Sequence, residues 1–297
     1  VLVRIEASGV CHTDLWAKQY LPAPFILGHE GIGIIEKTGN KVNRVKPGDR
    51  VIISYPWCGE CPSCNSGKPF ICNEVESLCF SGARLDGSMP IQHMGAPVNS
   101  AFFQQSSFAT HAITPERSLV PVNSDHKAEL LAALPCGVQT GAGAVLNTFG
   151  IKVKQGLIVV GTGAVGMSAI MAASVTGAYP VIAIDINESR LALAREMGAT
   201  HILNKQRDDV VNAIQEINPG GVDFAFETSG TESGLNDAIA CIKMGGVCGI
   251  VTTAYGGEKY PFSLDGIMMK GASIQGIIQG SSIPNDFLPR LMDLHDN

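Results

Sequence analysis

A chain of 297 residues, 45% hydrophobic and 16% charged, is long enough to bury more than one core and suits two domains. Its formal net charge of −6 and pI near 5.6 argue against nucleic acid or an anionic membrane as the main partner. No apolar run in the sequence reaches the roughly eighteen residues of a membrane span, and no signal-peptide pattern opens the chain. Nine cysteines, an odd number and mostly clustered, fit a reducing compartment with metal-bound thiolates, so the cytoplasm is expected. Both ends read as interrupted: residues 1–7 begin inside a strand-like alternation without an initiator Met, and Asp296-Asn297 follows directly on a helical pattern.

In chain order, residues 1–7 alternate with period two and predict a strand. A turn with a Cys/His/Thr/Asp set follows, Gly9-Val10-Cys11-His12-Thr13-Asp14, and then Gly28-His29-Glu30-Gly31, which leads into a glycine-rich strand over 32–36. Pro47-Gly48-Asp49 is a turn before a buried strand over 50–53. Short strands with Gly/Pro turns predict a small β-barrel or sandwich for this stretch.

Cys58, Cys61, Cys64 and Cys72 then place four cysteines in fifteen residues. C-x2-C pairs present two sulfurs from one tight turn, and zinc takes four thiolates tetrahedrally, so this cluster predicts a structural zinc lobe over 57–73. Two disulfides, or free core cysteines, are the alternatives. Four protein ligands leave zinc no open position, so the chemistry has to lie elsewhere. Residues 74–108 read as long and mostly irregular, and loops of that length are often functional. Phe102-Phe103 in it reads as either a pocket lining or, more simply, one core and one surface residue. Strands are expected over 108–113 and 119–122.

The pattern changes after residue 126. Residues 127–134 and 140–149 have helical spacing, with Pro135-Cys136-Gly137 between them. Apolar strands over 157–160, 181–184, 201–203, 222–226 and 247–251 then alternate with helices, which predicts βαβ units around a buried parallel sheet. The first of these strands runs into Gly161-Thr162-Gly163-Ala164-Val165-Gly166 and a helix. In that setting the first glycine permits the tight turn, the second lets a pyrophosphate reach the backbone, and the third lets helix and strand pack closely. Asp185 closes the next strand, nineteen residues past Gly166, where an acid can bond ribose hydroxyls and repel a 2′-phosphate. NAD is therefore expected over NADP, with Arg190 close by as a stacking group for adenine or a tolerance for phosphate.

These stretches, together with Pro135-Cys136-Gly137-Val138-Gln139-Thr140-Gly141, resemble the zinc-dependent medium-chain alcohol dehydrogenases, and the stretch over 82–108 is most similar to the benzyl or aryl-alcohol branch. The resemblance implies a GroES-like catalytic domain over 1–137, a Rossmann-type doubly wound parallel sheet binding NAD over 138–280, and a return segment over 281–297. It implies a catalytic zinc on Cys11, His29 and Cys136 with one open position, Glu30 behind or transiently near it, and Asp14 bonding His29. It places Thr13 on the substrate hydroxyl, and His12 and Thr140 near the cofactor's phosphates and nicotinamide. The implied activity is oxidation of a primary alcohol, aromatic or allylic, by zinc-assisted ionisation of the hydroxyl and hydride transfer to nicotinamide. A polyol dehydrogenase, an S-hydroxymethylglutathione dehydrogenase and a non-catalytic zinc-stabilised dinucleotide binder remain alternatives.

One departure is Trp16, which stands about where relatives carry the histidine that ends the proton relay. The relay is then expected to end in ribose and water, or to use another group. The last strand of the sheet, around 272–278, is expected to be an apolar edge, and such edges are usually covered. The resemblance implies a homodimer or homotetramer built on it.

Overall fold

The computed structural model describes every residue except Pro90, residues 253–258 and Asn297, so the last residue of the expected return segment lies outside the described residues. The chain forms two compact units, one of residues 1–139 with 282–297 and one of residues 140–281.

The first unit is built on a five-stranded antiparallel sheet. Its strands are β1 (Leu2–Ser8), β2 (Gly31–Lys37), β3 (Arg50–Ile53), β4 (His111–Ile113) and β5 (Leu119–Pro121), in the order β4-β1-β2-β3-β5. β1 and β2 pair closely because Gly33 carries no side chain: a Cβ there would collide with the Arg4 carbonyl. Val3, Ile35, Val51, Ile53, Ala112 and Leu119 form the core of one face.

The segment read as a turn after Gly9 is instead a nine-residue helix, α1 (His12–Tyr20). Cys11 is its N-cap: its sulfur accepts from the Thr13 N–H, while Asp14 accepts from the Cys11 N–H. This reciprocal arrangement is a capping box with a thiol in the usual hydroxyl position. The stretch over 74–108 is also less irregular than expected, with a helix at Val75–Phe80, a minimal hairpin of Gln92–His93 with Ala96–Pro97, and a 3-10 turn at Phe102–Gln104. The strand expected over 108–113 is shorter and starts at His111.

Cys136 does not lie between two helices. Residues 128–149 follow one helical path, α2, broken by two π-helical turns, Leu134–Val138 and Ala144–Phe149. The first of them starts around Pro135, which has no N–H to donate into an α-helical ladder. Its carbonyl instead accepts from the Gln139 side chain and from Ser54 Oγ. A π-turn widens the helix locally and re-aims the side chain it carries, here Cys136. This helix is long and apolar enough to cross a membrane by length and composition alone, but Glu129, Pro135, Gln139 and Asn147 interrupt it, so it is not the continuous apolar run of a membrane span. Two-thirds of its apolar window is buried inside the protein, as in a core helix, and it carries Pro135 in its middle.

The second unit holds six parallel strands: β6 (Leu157–Val160), β7 (Val181–Asp185), β8 (His201–Asn204), β9 (Val222–Glu227), β10 (Ile242–Ile250) and β11 (Ser273–Gly276). Their order is β8-β7-β6-β9-β10-β11. The order reverses between β6 and β9, and ligands of open α/β sheets bind at the carboxyl ends of the strands at such a switch point. Ile158, Ile182, Ile184, Ile214, Ala225, Ile239 and Cys248 are buried in the core between sheet and helices. β11 is the sheet edge, but it reads Ser-Ile-Gln-Gly and only Ile274 is partly covered, so the edge is less apolar than expected.

Candidate functional site

In the first unit, the turn before α1, the entry to β2 and the π-turn of α2 converge. Cys11, His29, Glu30 and Cys136 bring one ligand atom each into a set whose members all lie within 4.8 Å of one another. Cys11 Sγ is 3.9 Å from Cys136 Sγ, and His29 Nε2 is 3.3 Å from Cys136 Sγ. A tetrahedral zinc with ordinary Zn–S and Zn–N bonds holds its ligand atoms about 3.6–3.8 Å apart, so the donor set fits that ion. A disulfide would need sulfurs about 2.05 Å apart, which Cys11 and Cys136 do not approach.

The surroundings explain how each ligand is held. His29 is 2% exposed, and its Nδ1 lies 3.1 Å from Asp14 Oδ1. The other end of Asp14 is occupied by the Cys11 N–H, and Oδ1 also takes the Gly28 N–H. One buried carboxylate thus ties the N-cap of α1, the bend at Gly28 and the imidazole together. Gln105, 2% exposed, grips the backbone on both sides of Glu30: it donates to the His29 carbonyl and accepts from the Gly31 N–H. The Phe103 ring stacks on His29 at 4.6 Å, and Phe102 meets it edge-on at 5.7 Å. Both phenylalanines are buried, so the reading of one core and one surface residue does not hold. Phe103 takes a left-handed backbone, φ 49°, as do Gln104 and Ser106. Such conformations cost a non-glycine residue roughly 1 kcal/mol or more and persist only where surrounding contacts fix them. The fixing contacts here are Ser106 Oγ to the Ile26 carbonyl and Gln104 Nε2 to the Leu78 and Ala83 carbonyls.

Charge is concentrated in this cluster. Contact with the Cys136 thiol, opposed by burial and assisted by His29, pulls the Cys11 thiol down to about 3. Contact with Cys11, together with burial, pushes Cys136 well above the usual thiol range. Burial lowers His29, but the Asp14 carboxylate and the Cys11 sulfur outweigh it, leaving the imidazole raised to about 10. Burial pushes Glu30 up to about 7. Gly9 makes room for that carboxylate, since a Cβ there would collide with it. Thr13 is placed at the rim, its Oγ1 3.5 Å from Cys11 Sγ. His12 is exposed on the first turn of α1. Trp16 packs against Tyr20 at 4.6 Å and Phe80 at 5.6 Å, and Phe80 in turn meets Phe103. Trp16 is therefore part of an aromatic chain that reaches the metal-ligating ring, a feature the sequence reading did not anticipate.

Asp14→Asn tests this wiring. Loss of the carboxylate partner of a ligand histidine is expected to weaken zinc retention and kcat/KM by roughly 10- to 100-fold. Chelator competition and initial rates on the same preparation measure both, and an unchanged zinc affinity would remove Asp14 from this role.

The second cysteine set is a closed cage. Cys58, Cys61, Cys64 and Cys72 are all free thiols with sulfurs within 4.8 Å of one another. The measured pairs, Cys58–Cys64 at 3.9 Å and Cys61–Cys72 at 4.0 Å, match the roughly 3.8 Å edge of a ZnS4 tetrahedron. Backbone N–H groups of Cys58, Glu60, Cys61, Asn73 and Glu74 point at the sulfurs, an arrangement that favours thiolates. The Asn73 N–H and its neighbours bring Cys61 down to about 6, whereas burial pushes Cys64 up to about 12.

In the second unit, the glycine loop joins β6 to the helix Ala164–Thr176, capped by Gly163 without a side-chain bond. Gly161 has φ 91°, and Gly166 sits so close to the Gly161 carbonyl that a Cβ there would collide. Around Gly163 a Cβ would meet nothing within 4 Å. That open cradle lies over the free N–H groups of Ala164 and Val165 at a helix N-terminus, which fits a pyrophosphate. Asp185 ends β7, and its oxygens accept from the Thr162 N–H and hydroxyl at 2.7 Å and from the Ile186 and Asn187 N–H groups. Burial alone would raise it, but these bonds hold the carboxyl below its ordinary value. Arg190 is exposed in the first turn of the following helix, and Thr140 is buried at the start of the unit.

Similarity to known proteins agrees with this anatomy. Residues 1–124 match the alcohol dehydrogenase GroES-like domain, and residues 164–297 match the zinc-binding dehydrogenase family. The chain is 42% identical to a geraniol dehydrogenase of Castellaniella defragrans, covering 99% of this chain and 80% of that protein. Among solved structures, it resembles an alcohol dehydrogenase zinc-binding domain protein from Burkholderia ambifaria, with TM-score 0.95 and 43% identity over 99% of this chain and 81% of that one. It also resembles the benzyl alcohol dehydrogenase of Acinetobacter calcoaceticus, with TM-score 0.94 and 41% identity over 100% of this chain and 81% of that one.

Proposed function

We propose that this chain, which belongs to the zinc-dependent medium-chain alcohol dehydrogenase family, oxidises primary aromatic or allylic alcohols to aldehydes with NAD as hydride acceptor. The observation that supports the substrate class is the aromatic packing beside the ligand histidine: buried Phe103 stacked on it and buried Phe102 edge-on, backing the partly exposed rings of Phe80 and Trp16. An apolar, π-rich wall favours a flat apolar substrate over a polyol, whose hydroxyls would lose hydrogen bonds to water.

Cys11, His29 and Cys136 would hold the catalytic zinc, and the four-cysteine lobe the structural one. When bound, zinc supplies a Lewis acid that makes an alcohol hydroxyl acidic, and nicotinamide supplies the hydride acceptor. The rest of the work falls to the chain. Asp14 holds His29 in one tautomer and one orientation. Thr13 Oγ1, beside Cys11, is placed to receive the hydroxyl proton and would pass it on towards bound cofactor and water. Trp16, built into the aromatic wall, ends no relay, so oxidation should show no ionisation tied to that position. Glu30, poised near neutrality behind the ligands, answers charge changes at the cluster.

Gly161, Gly163 and Gly166 let the pyrophosphate approach the helix N-terminus at Ala164 and Val165. Asp185 would favour NAD through its charge, and Arg190 would be the stacking group for adenine. His12 and Thr140 serve the phosphates and nicotinamide. A reducing compartment, the cytoplasm, belongs to the same reading and is supported by nine free cysteines. So does self-association through the sheet edge at Ser273–Gly276.

The test is NADH formation with benzyl alcohol, an allylic terpene alcohol, ethanol, a polyol and S-hydroxymethylglutathione. The first two are expected to give the highest kcat/KM. A clear preference for the polyol or the glutathione adduct would overturn the substrate class without touching the zinc assignment.

A further inference from the structure

Apart from the two cysteine-containing sets, the structure brings together His126, His295 and Asp296, whose ligand atoms all lie within 4.8 Å of one another. We propose that these three residues form a third metal site, for a divalent transition ion of the zinc type. Two imidazoles and a carboxylate suit Zn2+, Ni2+ or Cu2+ far better than Mg2+ or Ca2+.

Several observations converge on it. His126 Nε2 lies 2.8 Å from Asp296 Oδ1, within the spacing of two ligands on one ion. That nitrogen is shielded from solvent yet makes no hydrogen bond of normal geometry, so the short contact is not an aligned N–H···O pair. The His126 and His295 rings meet edge-to-face at 5.4 Å, leaving their nitrogens free to turn towards a shared point. Both partners rest on fixed backbone. The His126 carbonyl accepts from Arg50 Nη1 at 2.8 Å, and Arg50 is itself paired with Glu6. His295 and Asp296 sit in the last turn of the helix Pro284–Asp296, which is anchored by buried Phe287, Leu288 and Leu291. An ordinary surface His–Asp pair, the bland alternative, needs no second histidine and contributes little.

An ion at this point would clamp the helix Pro284–Asp296 to the segment that leads into α2. Both anchors belong to the first unit and lie 169 residues apart in sequence.

The experiment uses the full chain carrying its two zincs, dialysed against a series of free Zn2+ concentrations, with zinc counted by mass spectrometry. The wild type is expected to take up a third equivalent. His295→Ala and Asp296→Asn, both at exposed positions and so compatible with folding, are expected to weaken that equivalent by roughly 10-fold or more. Hydrogen exchange in the helix Pro284–Asp296 should slow on zinc addition in the wild type and not in the variants. Saturation of the wild type at two zincs, or a third equivalent unchanged in His295→Ala, would overturn the proposal. Alcohol oxidation is expected to be the same in all three proteins, which keeps this test separate from the substrate reading.

Discussion

Replacing His29 with alanine is expected to leave one zinc per chain and to lower kcat/KM by roughly three to four orders of magnitude. That loss is the worth of several kcal/mol of Lewis-acid stabilisation of developing charge. The imidazole is the only nitrogen in the set of Cys11, His29, Glu30 and Cys136, and it is the member tied to Asp14. Without it, two thiols and a carboxyl remain, and the Asp14 carboxylate keeps only its two backbone donors. The four-cysteine cage shares no residue with this cluster, so its zinc should stay. Zinc content by mass spectrometry beside steady-state rates reads both parts. Loss of both zincs, or full turnover with one, would show that the reacting centre is elsewhere.

The protonation states of the metal-free cluster sharpen that prediction. Cys11 is already a thiolate, while His29, raised to about 10, and Cys136, raised well above the usual thiol range, both hold protons near neutrality. Zinc entry must displace those two protons. Each costs about tenfold in apparent affinity per pH unit below its pKa, so zinc binding should weaken steeply as pH falls from 8 to 6. The His29 contribution to the metal-free fold runs in the opposite sense, and Cys11, held below its ordinary value, opposes it. A histidine whose folded pKa lies above its ordinary value of about 6.5 stabilises the fold fully below that value, and the contribution disappears as pH rises through about 10. Calorimetry in two buffers of different ionisation heat counts the released protons. A count near zero would mean that His29 and Cys136 are already deprotonated.

How much of this was legible in the sequence depended on range. The parallel sheet, the glycine loop and the cysteine lobe could be read because each is specified by neighbours: an apolar strand running into Gly161, or two C-x2-C steps and a seven-residue span to Cys72. The helix after Cys11 was not read, although Cys11 and Asp14 form its capping box. A thiol is an unusual cap, and the same residues invited a metal reading. The aromatic stack on His29 was out of reach for a different reason. It depends on Phe103 adopting a left-handed backbone, which β-propensity and pattern argue against, and on hydrogen bonds from Gln104 and Ser106 to carbonyls 21 to 80 residues away. The π-turn at Cys136 was half legible. Pro135 announced a break in the ladder, but a break and a widened turn look alike until the Gln139 and Ser54 bonds to its carbonyl are known. Strand-edge character was misjudged because Ala272, Ile277 and Ile278 flank β11 rather than belong to it.

The four-cysteine lobe gives the other large effect, on stability rather than chemistry. Cys58→Ser leaves a hydroxyl that stays protonated at neutral pH and is a poor zinc ligand, so the cage should lose its ion. The consequence is not confined to the lobe. Cys58, Cys61 and Cys64 pack against a buried cluster of Tyr55, Cys72, Leu78, Phe102 and Phe103, and the last two surround His29. Arg117 further pins the carbonyls of Trp57 and Cys58. Metal loss therefore loosens one face of the aromatic box. A destabilisation of several kcal/mol is expected, since structural zinc contributes its binding energy to folding. At this chain length it corresponds to a fall in Tm of roughly 10 °C. In the fraction that remains folded, kcat should hold while KM for an aromatic alcohol, the substrate class proposed, rises, because the packing of Phe102 and Phe103 behind that site loses its support while the ligands Cys11, His29 and Cys136 keep their own contacts. Thermal denaturation and rates normalised to catalytic zinc separate the two. An unchanged Tm with selectively lost hydride transfer would mean that the lobe, and not the cluster at His29, holds the reactive metal.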